Sequence, residues 1–253
     1  MGNYILLSEK RTGSTFVQTA LDSHPDITSH DELFIMRTRT EKRNDVSFFV
    51  DIVSEYEGSD MNYTVPGLAE EYLKEIYNSN ENVIFNLIYS QIESWYKGMN
   101  LMSILQWFDY KTIHLKRNFF DTILSMKVKG IYRSNVLRNE MEKIHLNPSE
   151  MRRDIVEYKR KYKEWTKIFK PELSIDFEDV LPEEEVIPKN ISNYGMFNTI
   201  SKTKTYMDPD MNKKLCDFFK VDNIPMYSYL SKYIPDKWEY VSNVDEIKEY
   251  FSI

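Results

Sequence analysis

Four short runs rich in apolar residues mark the strands that the sequence predicts. They cover residues 4–7, 82–88, 111–115 and 173–177, and each has the length of a strand buried in a sheet. Between these runs, apolar side chains recur every three or four residues, which is the spacing of one helix face. Strands that alternate with helices predict an α/β protein with a central parallel sheet flanked by helices.

Helical spacing and boundary residues locate the helices. Pro25 ends the first helical region at His24, Asn118 is a predicted N-cap, and residues 65–67 form a predicted break. The predicted helices cover residues 16–21, 46–56, 68–76, 92–108, 118–125, 151–169, 208–221 and 243–251. Most of residues 34–66 and all of residues 129–150 are irregular, so we expect them to shape a binding pocket.

The first predicted strand leads into a basic segment, residues 10–15, which we call the 10–15 loop. It consists of Lys10, Arg11, Thr12, Gly13, Ser14 and Thr15. The helix that follows would offer backbone N–H groups and the positive end of its dipole to an anion. Gly13 allows a tight turn close to that anion. An ordinary strand-to-helix turn, with a glycine and a serine N-cap, explains the same residues equally well.

The 10–15 loop is not the P-loop of ATP-binding enzymes. The G-x-x-x-x-G-K-[ST] pattern is absent, and no lysine directly precedes Ser14. This weakens the interpretation that the protein binds ATP with magnesium. Ligands of open parallel sheets lie beyond the carboxyl ends of the strands, so the loop and Arg117 are expected on the same rim.

Charge and cysteine usage narrow the class of protein. The 253 residues carry a net charge of −7, which argues against a nucleic-acid binder. The single cysteine, Cys216, stands in a helical pattern and is expected to be a buried structural thiol. No signal peptide or membrane-spanning apolar run is visible. We therefore expect one soluble, cytoplasmic domain over residues 1–253.

Two motifs taken together resemble PAPS-dependent sulfotransferases. Residues 10–16 resemble that family's loop for the 5′-phosphosulfate, and residues 115–125 resemble its 3′-phosphate motif. In the second motif an arginine at a strand end and a serine two helical turns later hold the phosphate, and Arg117 and Ser125 match them. The resemblance implies a P-loop-NTPase-like sulfotransferase fold and PAPS (3′-phosphoadenosine 5′-phosphosulfate) as co-substrate.

A further likeness is to the bacterial and carbohydrate-type sulfotransferases. Residues 21–34 are similar to sequences in which a glutamate soon after the first helix is the catalytic base, and Glu32 occupies that place. The chain departs from the family pattern at three positions: Asn86 replaces a common lysine, Phe119 replaces a proline, and Asp31 replaces a small residue. The likeness touches most of the chain, strongly at two motifs and loosely elsewhere.

The resemblance implies a role for each site residue in sulfuryl transfer from PAPS to a hydroxyl by in-line displacement. Glu32 would be the general base, while Lys10 and Arg11 stabilise the bridging and sulfuryl oxygens. The 5′-phosphosulfate would be bound by Arg11, Thr12, Gly13, Ser14 and Thr15, and the 3′-phosphate by Arg117 and Ser125. Lysine and arginine can carry the charge without a metal, and no cluster has metal-ligand spacing, so no metal is predicted.

Several alternatives accompany this interpretation. Asp31 and His30 are rival bases, whereas His24 is better explained by a turn and His114 by a place in the core. A P-loop nucleotide kinase or NTPase is one alternative function, and a non-catalytic nucleotide-binding module is another. The acceptor is expected to be a carbohydrate-like or other small molecule, and the sequence does not distinguish a sugar from an aromatic alcohol.

Overall fold

The computed structural model describes most of the chain. The described residues are 2–34, 49, 52, 65–78, 82–93, 101–138, 142–180, 199–222, 227–231 and 237–253. Most of the predicted helix over residues 46–56, and most of the irregular segment around it, lie outside these ranges. The same is true of residues 181–198, which follow the fourth predicted strand.

Five parallel strands form the central sheet. They are β1 (Asn3–Ser8), β2 (Ile27–His30), β3 (Asn82–Ile88), β4 (Lys111–Lys116) and β5 (Leu173–Asp176). Their order across the sheet is β2-β3-β1-β4-β5, and every pair is parallel. The predicted α/β fold with a parallel sheet is therefore confirmed.

Helices cover both faces of this sheet. They are α1 (Ser14–Leu21), α2 (Val65–Tyr77), α3 (Tyr89–Glu93), α4 (Leu101–Leu105), α5 (Phe119–Arg138), α6 (Pro148–Phe169), α7 (Pro209–Phe219) and α8 (Val244–Phe251). Single 3₁₀ turns occupy Phe177–Asp179 and Lys237–Tyr240. A separate antiparallel hairpin pairs β6 (Thr199–Tyr206) with β7 (Tyr227–Ser231).

The alternation of side chains along β1 explains why both faces are covered. Ile5 and Leu7 belong to one apolar cluster, which contains residues of α2, α5, α6 and α8. Tyr4 and Leu6 belong to a second cluster on the other face, with residues of α1 and α7. Successive side chains of a strand point to opposite faces, so an unbroken apolar run requires a layer on each side. Cys216 lies in the second cluster, 4% exposed, as predicted.

Several element boundaries differ from the sequence prediction. Strand β2 and the β6–β7 hairpin were not predicted, because their sequences mix polar and apolar residues without a clear apolar run. Helix α5 continues to Arg138, although residues 129–150 were predicted to be irregular. The prediction missed this part of the helix because the apolar residues of α5 are not gathered on one face. The predicted break at residues 65–67 is instead the start of α2, where the first turn tolerates a proline.

Two other predictions about helices need correction. The single helical region over residues 92–108 is represented by two short helices, α3 and α4, and residues 94–100 lie outside the described part of the chain. Asn243 precedes α8, but its side chain does not cap that helix. Its amide oxygen accepts from Leu146 N at 2.9 Å, and its Nδ2 donates to Leu146 O at 2.8 Å. In the described part of the chain, no helix is long and apolar enough to cross a membrane.

Candidate functional site

The turn between β1 and α1 is shaped by Gly13. Its φ of 95° lies in the left-handed region, and its carbonyl accepts the first hydrogen bond of α1, from Phe16 N at 2.9 Å. A Cβ at this position would stand 2.1 Å from Cε2 of Phe177. Gly13, rather than Ser14, is therefore the N-cap, and the two hydroxyl residues Ser14 and Thr15 fall in the first turn of the helix.

Internal hydrogen bonds hold the beginning of the 10–15 loop. The hydroxyl of Thr12 is buried and donates to Glu9 O at 2.8 Å. The Glu9 carboxylate accepts from Lys10 N at 2.8 Å. The Lys10 side chain is exposed at the surface of this turn. Thr12 thus contributes its hydroxyl to the loop itself, while Lys10 can reach an anion outside it.

The two motifs that lie more than 100 residues apart in sequence meet at the carboxyl edge of the sheet. Strands β1 and β4 are neighbours, with Ser8 paired to Leu115, so the segments that follow them emerge side by side. Arg117 Nη1 donates to Arg11 O at 3.5 Å, and Arg11 Nε donates to Ser125 Oγ at 3.3 Å. The prediction that the loop and Arg117 share one rim is confirmed.

Local structure places Arg117 and Ser125 two helical turns apart. Asn118 caps α5, because its Oδ1 accepts from Phe120 N at 2.9 Å and from Asp121 N at 3.2 Å. Arg117 therefore occupies the short link between β4 and α5, and its guanidinium lies 5.3 Å from the centre of the Phe177 ring. This aromatic ring limits where the cation can move.

A third cation joins this group from the far end of the chain. Lys237 begins the last 3₁₀ turn, and its Nζ lies 3.4 Å from Asp121 O and 3.8 Å from Asp121 Oδ1. Burial lowers the pKa of Lys237 to about 8, and the positive charge of Arg117 contributes to the decrease. The side chain is only 13% exposed. We call Arg11, Arg117, Ser125 and Lys237 together the cationic cluster.

The positive charges of the cationic cluster outnumber the carboxylates that face it. Burial lowers the pKa of Arg11, and the neighbouring charge of Arg117 lowers it further. Among the described residues, the carboxylates that face the cluster are Asp121, beside Lys237, and Glu178, whose Oε1 lies 3.9 Å from Arg117 Nε. Glu178 also accepts from Asn118 N at 2.9 Å. Like charges held together at a half-buried edge favour a multiply charged anion as ligand.

Sequence reasoning did not identify Lys237. It lies 120 residues beyond Arg117, and nothing in its immediate sequence resembles an anion-binding motif. Its position depends on Trp238, whose ring lies 5.9 Å from that of Phe120 in α5. This packing helps to hold the last 3₁₀ turn against the helix that carries Ser125.

Glu32 lies at the same edge of the sheet, directly beyond β2. Strand β2 is separated from β1 by β3, which corresponds to two strand spacings, about 10 Å. Glu32 Oε2 accepts from Gln91 Nε2 at 3.3 Å, and Gln91 Oε1 accepts from Ile88 N at 3.1 Å. Gln91 is itself buried and fixed by the end of β3, so it orients the carboxylate of Glu32.

The histidines differ in their access to this edge. His30 is 5% exposed, whereas Asp31 and Glu32 are both half-buried, which favours a carboxylate as the group that meets a ligand. His24 Nδ1 accepts from Asp26 N at 3.1 Å, as expected for a turn residue. His114 is fully buried, with Tyr89 Oη and Thr166 Oγ1 at 2.5 and 3.0 Å from its ring nitrogens. Burial lowers the pKa of His114 to about 4, so this histidine is a neutral core residue, as predicted.

The chain is similar to two solved sulfotransferase structures. A sulfotransferase from Alicyclobacillus acidocaldarius matches 100% of this chain and 92% of its own, at 14% identity and a TM-score of 0.46. The sulfotransferase domain of the Synechococcus PCC 7002 olefin synthase matches 99% of this chain and 87% of its own, at 17% identity and a TM-score of 0.44. No protein-family model and no curated protein matches the chain.

Proposed function

We propose that this protein is a sulfotransferase that moves a sulfuryl group from PAPS to the hydroxyl of a small, carbohydrate-like acceptor. The observation that carries the proposal is the contact between Arg11, Ser125 and Arg117. It joins two sequence motifs that each resemble a phosphate-binding element of PAPS-dependent sulfotransferases. A bisphosphorylated nucleotide needs two anion sites at a fixed separation, and this edge of the sheet offers the 10–15 loop and the cationic cluster side by side.

The donor nucleotide would be held at both of its anionic ends. Gly13, Ser14 and Thr15 form the start of α1, where backbone N–H groups and hydroxyls suit a 5′-phosphosulfate. Arg117 and Ser125 suit the 3′-phosphate, because a guanidinium offers a planar pair of donors. Lys237 adds a charge at the same place. Lys10 and Arg11, which precede the turn at Gly13, would stabilise the oxygens of the transferring group.

The reaction would proceed by in-line displacement at sulfur. The acceptor oxygen forms a bond to sulfur while the bond from sulfur to the 5′-phosphate oxygen breaks, and adenosine 3′,5′-bisphosphate leaves. Glu32 takes the hydroxyl proton as the acceptor attacks. Fixed cations stabilise the negative charge that grows on the leaving phosphate, as they do in phosphoryl transfer.

The proposal extends to a single catalytic domain over residues 1–253 in the cytoplasm, working without a metal ion. Among the described residues, no group of three or more His, Cys, Asp or Glu side chains could hold a metal. Arginine and lysine supply the positive charge that a metal supplies in many kinases. The two strands beside β1, which are β3 and β4, are followed by Tyr89 and Arg117, so neither supplies an acid to hold magnesium next to the 10–15 loop.

Calorimetric titration of the whole chain tests the donor site. We expect adenosine 3′,5′-bisphosphate to bind much more tightly than ADP or ATP with magnesium. The protein should then transfer sulfuryl from PAPS to at least one member of a panel of sugars and phenols. Tighter binding of ATP with magnesium would instead support a kinase, and bisphosphate binding without any transfer would support a non-catalytic binding module.

Lys237 should make nucleotide binding sensitive to pH. With a pKa of about 8 in the unliganded protein, its ammonium is present below pH 8 and is lost as the pH rises above it. A bound phosphate stabilises the charged form, so affinity is highest below pH 8 and decreases above it. Between pH 7.5 and 9.5 we expect affinity for adenosine 3′,5′-bisphosphate to fall about tenfold. The charged groups that face this lysine are Arg117, Asp121, Arg11 and Glu178.

Two variants isolate this effect in the same titration. Lys237→Arg should bind with nearly constant affinity from pH 7.5 to 9.5, because a guanidinium does not titrate there. Lys237→Met should bind more weakly and also show little dependence on pH. If the affinity of Lys237→Met fell with pH as steeply as that of the wild type, a group other than Lys237 would cause the decrease in affinity.

A further inference from the structure

A chain of three polar side chains, two of them buried, connects β1, β3 and the start of α1. Ser8 ends β1 and Asn86 lies in the neighbouring strand β3, and the two residues are 0% and 1% exposed. Ser8 Oγ donates to Asn86 Oδ1 at 2.8 Å. Asn86 Nδ2 donates to Ser14 Oγ at 3.2 Å. The chain therefore runs from the core of the sheet to a hydroxyl of the 10–15 loop.

The direction of these bonds fixes the orientation of the Ser14 hydroxyl. In a primary amide the oxygen only accepts and the nitrogen only donates. Because Ser8 donates to Oδ1, the NH₂ group of Asn86 is turned toward Ser14. Ser14 Oγ then uses a lone pair for Asn86, and its own proton is directed to a different acceptor. A phosphosulfate at neutral pH offers acceptors only, so it requires a hydroxyl in this orientation.

We infer that Asn86 is a positioning residue that turns the Ser14 hydroxyl into a donor for the 5′-phosphosulfate end of the nucleotide. This inference rests on the proposed function. The amide is neutral, so Asn86 adds orientation and no charge, and the charge is left to Lys10 and Arg11. Asn86 thereby performs a different task from the lysine that the resembling family commonly carries at this place.

Affinities for two nucleotides test the inference. Adenosine 3′,5′-bisphosphate has a phosphate at each end, whereas adenosine 3′-monophosphate lacks the 5′-phosphate. We expect Asn86→Ala to weaken binding of the bisphosphate about tenfold and to change binding of the monophosphate less than twofold. In a Ser14→Ala background, Asn86→Ala should cause no further loss, because the hydroxyl through which Asn86 acts is gone.

Two further variants separate positioning from a general loss of structure. Asn82→Ala is the matched control: Asn82 is also a buried amide of β3, but it lies at the opposite end of the strand and donates to Phe219 O at 3.4 Å. It should leave both affinities unchanged. Ser8→Ala removes the donor that orients the amide without touching Asn86, and it should weaken bisphosphate binding about threefold with the same selectivity. Thermal unfolding of each variant identifies any that fails to fold.

The outcomes are distinct. Equal losses for both nucleotides, or an additive loss in the Ser14→Ala background, would overturn the role of Asn86 while leaving the proposed function intact. Unchanged bisphosphate binding in both Asn86→Ala and Ser8→Ala would do the same. Failure of the wild-type protein to bind the bisphosphate would overturn the proposed function and this inference together.

Discussion

Replacement of Arg117 by alanine should weaken binding of adenosine 3′,5′-bisphosphate at least about 100-fold, because it removes a charged, partly buried donor pair. The Arg117 side chain is 17% exposed and is held between the Phe177 ring and the carbonyl of Arg11. A guanidinium fixed in this way loses little freedom when it binds a phosphate. The variant also removes a bond to the 10–15 loop, which adds to the loss. Calorimetric titration at constant salt measures the effect.

Two other arginine variants give this measurement its controls. Arg160 lies on α6, is 56% exposed and pairs with Glu157 and Glu164, so Arg160→Ala should bind the bisphosphate like the wild type. Arg117→Lys keeps the charge but loses the planar pair of donors, and an intermediate affinity is expected. If Arg117→Ala retained full affinity, the 3′-phosphate would have to bind elsewhere.

The second large effect is expected in the rate of transfer. Glu32→Gln should lower kcat by about 10² to 10⁴, the range typical of a lost general base, with little change in the KM for PAPS. Glutamine has nearly the same shape as glutamate, and its side-chain oxygen can still accept from Gln91 Nε2. The amide of the introduced glutamine cannot take a proton at neutral pH. Initial rates with the best acceptor from the panel of sugars and phenols, at saturating PAPS, measure the change.

The neighbouring residues provide the matched comparison for Glu32. Asp31→Asn makes the same chemical change one position earlier, and His30→Gln tests the remaining rival base. Both variants should keep kcat within a few fold of the wild type. A large decrease in Asp31→Asn or His30→Gln, together with a nearly normal Glu32→Gln, would assign the proton transfer to that other residue.

The sequence alone was sufficient for much of the sheet and for the local shape of the site. Strands β1 and β3 were predicted because their apolar side chains must be buried on both faces, and β4 and β5 because short runs rich in apolar residues mark them. The cap at Asn118 was predicted because it depends on its own next few residues. Strand β2 escaped prediction because its four residues, Ile27–His30, contain a single apolar residue and so form no apolar run.

Contacts between residues that are distant in sequence were decided only by the tertiary structure. The strand order β2-β3-β1-β4-β5 brings the loop after β1 beside the link after β4. Arg11 therefore contacts both Arg117 and Ser125. Lys237 joins them where the last 3₁₀ turn packs on α5, with Trp238 against Phe120. Local sequence encodes backbone preference, capping and apolar pattern. A cationic cluster depends instead on the distances and burial that the folded chain imposes, because these determine both its ligand and the pKa of its lysine.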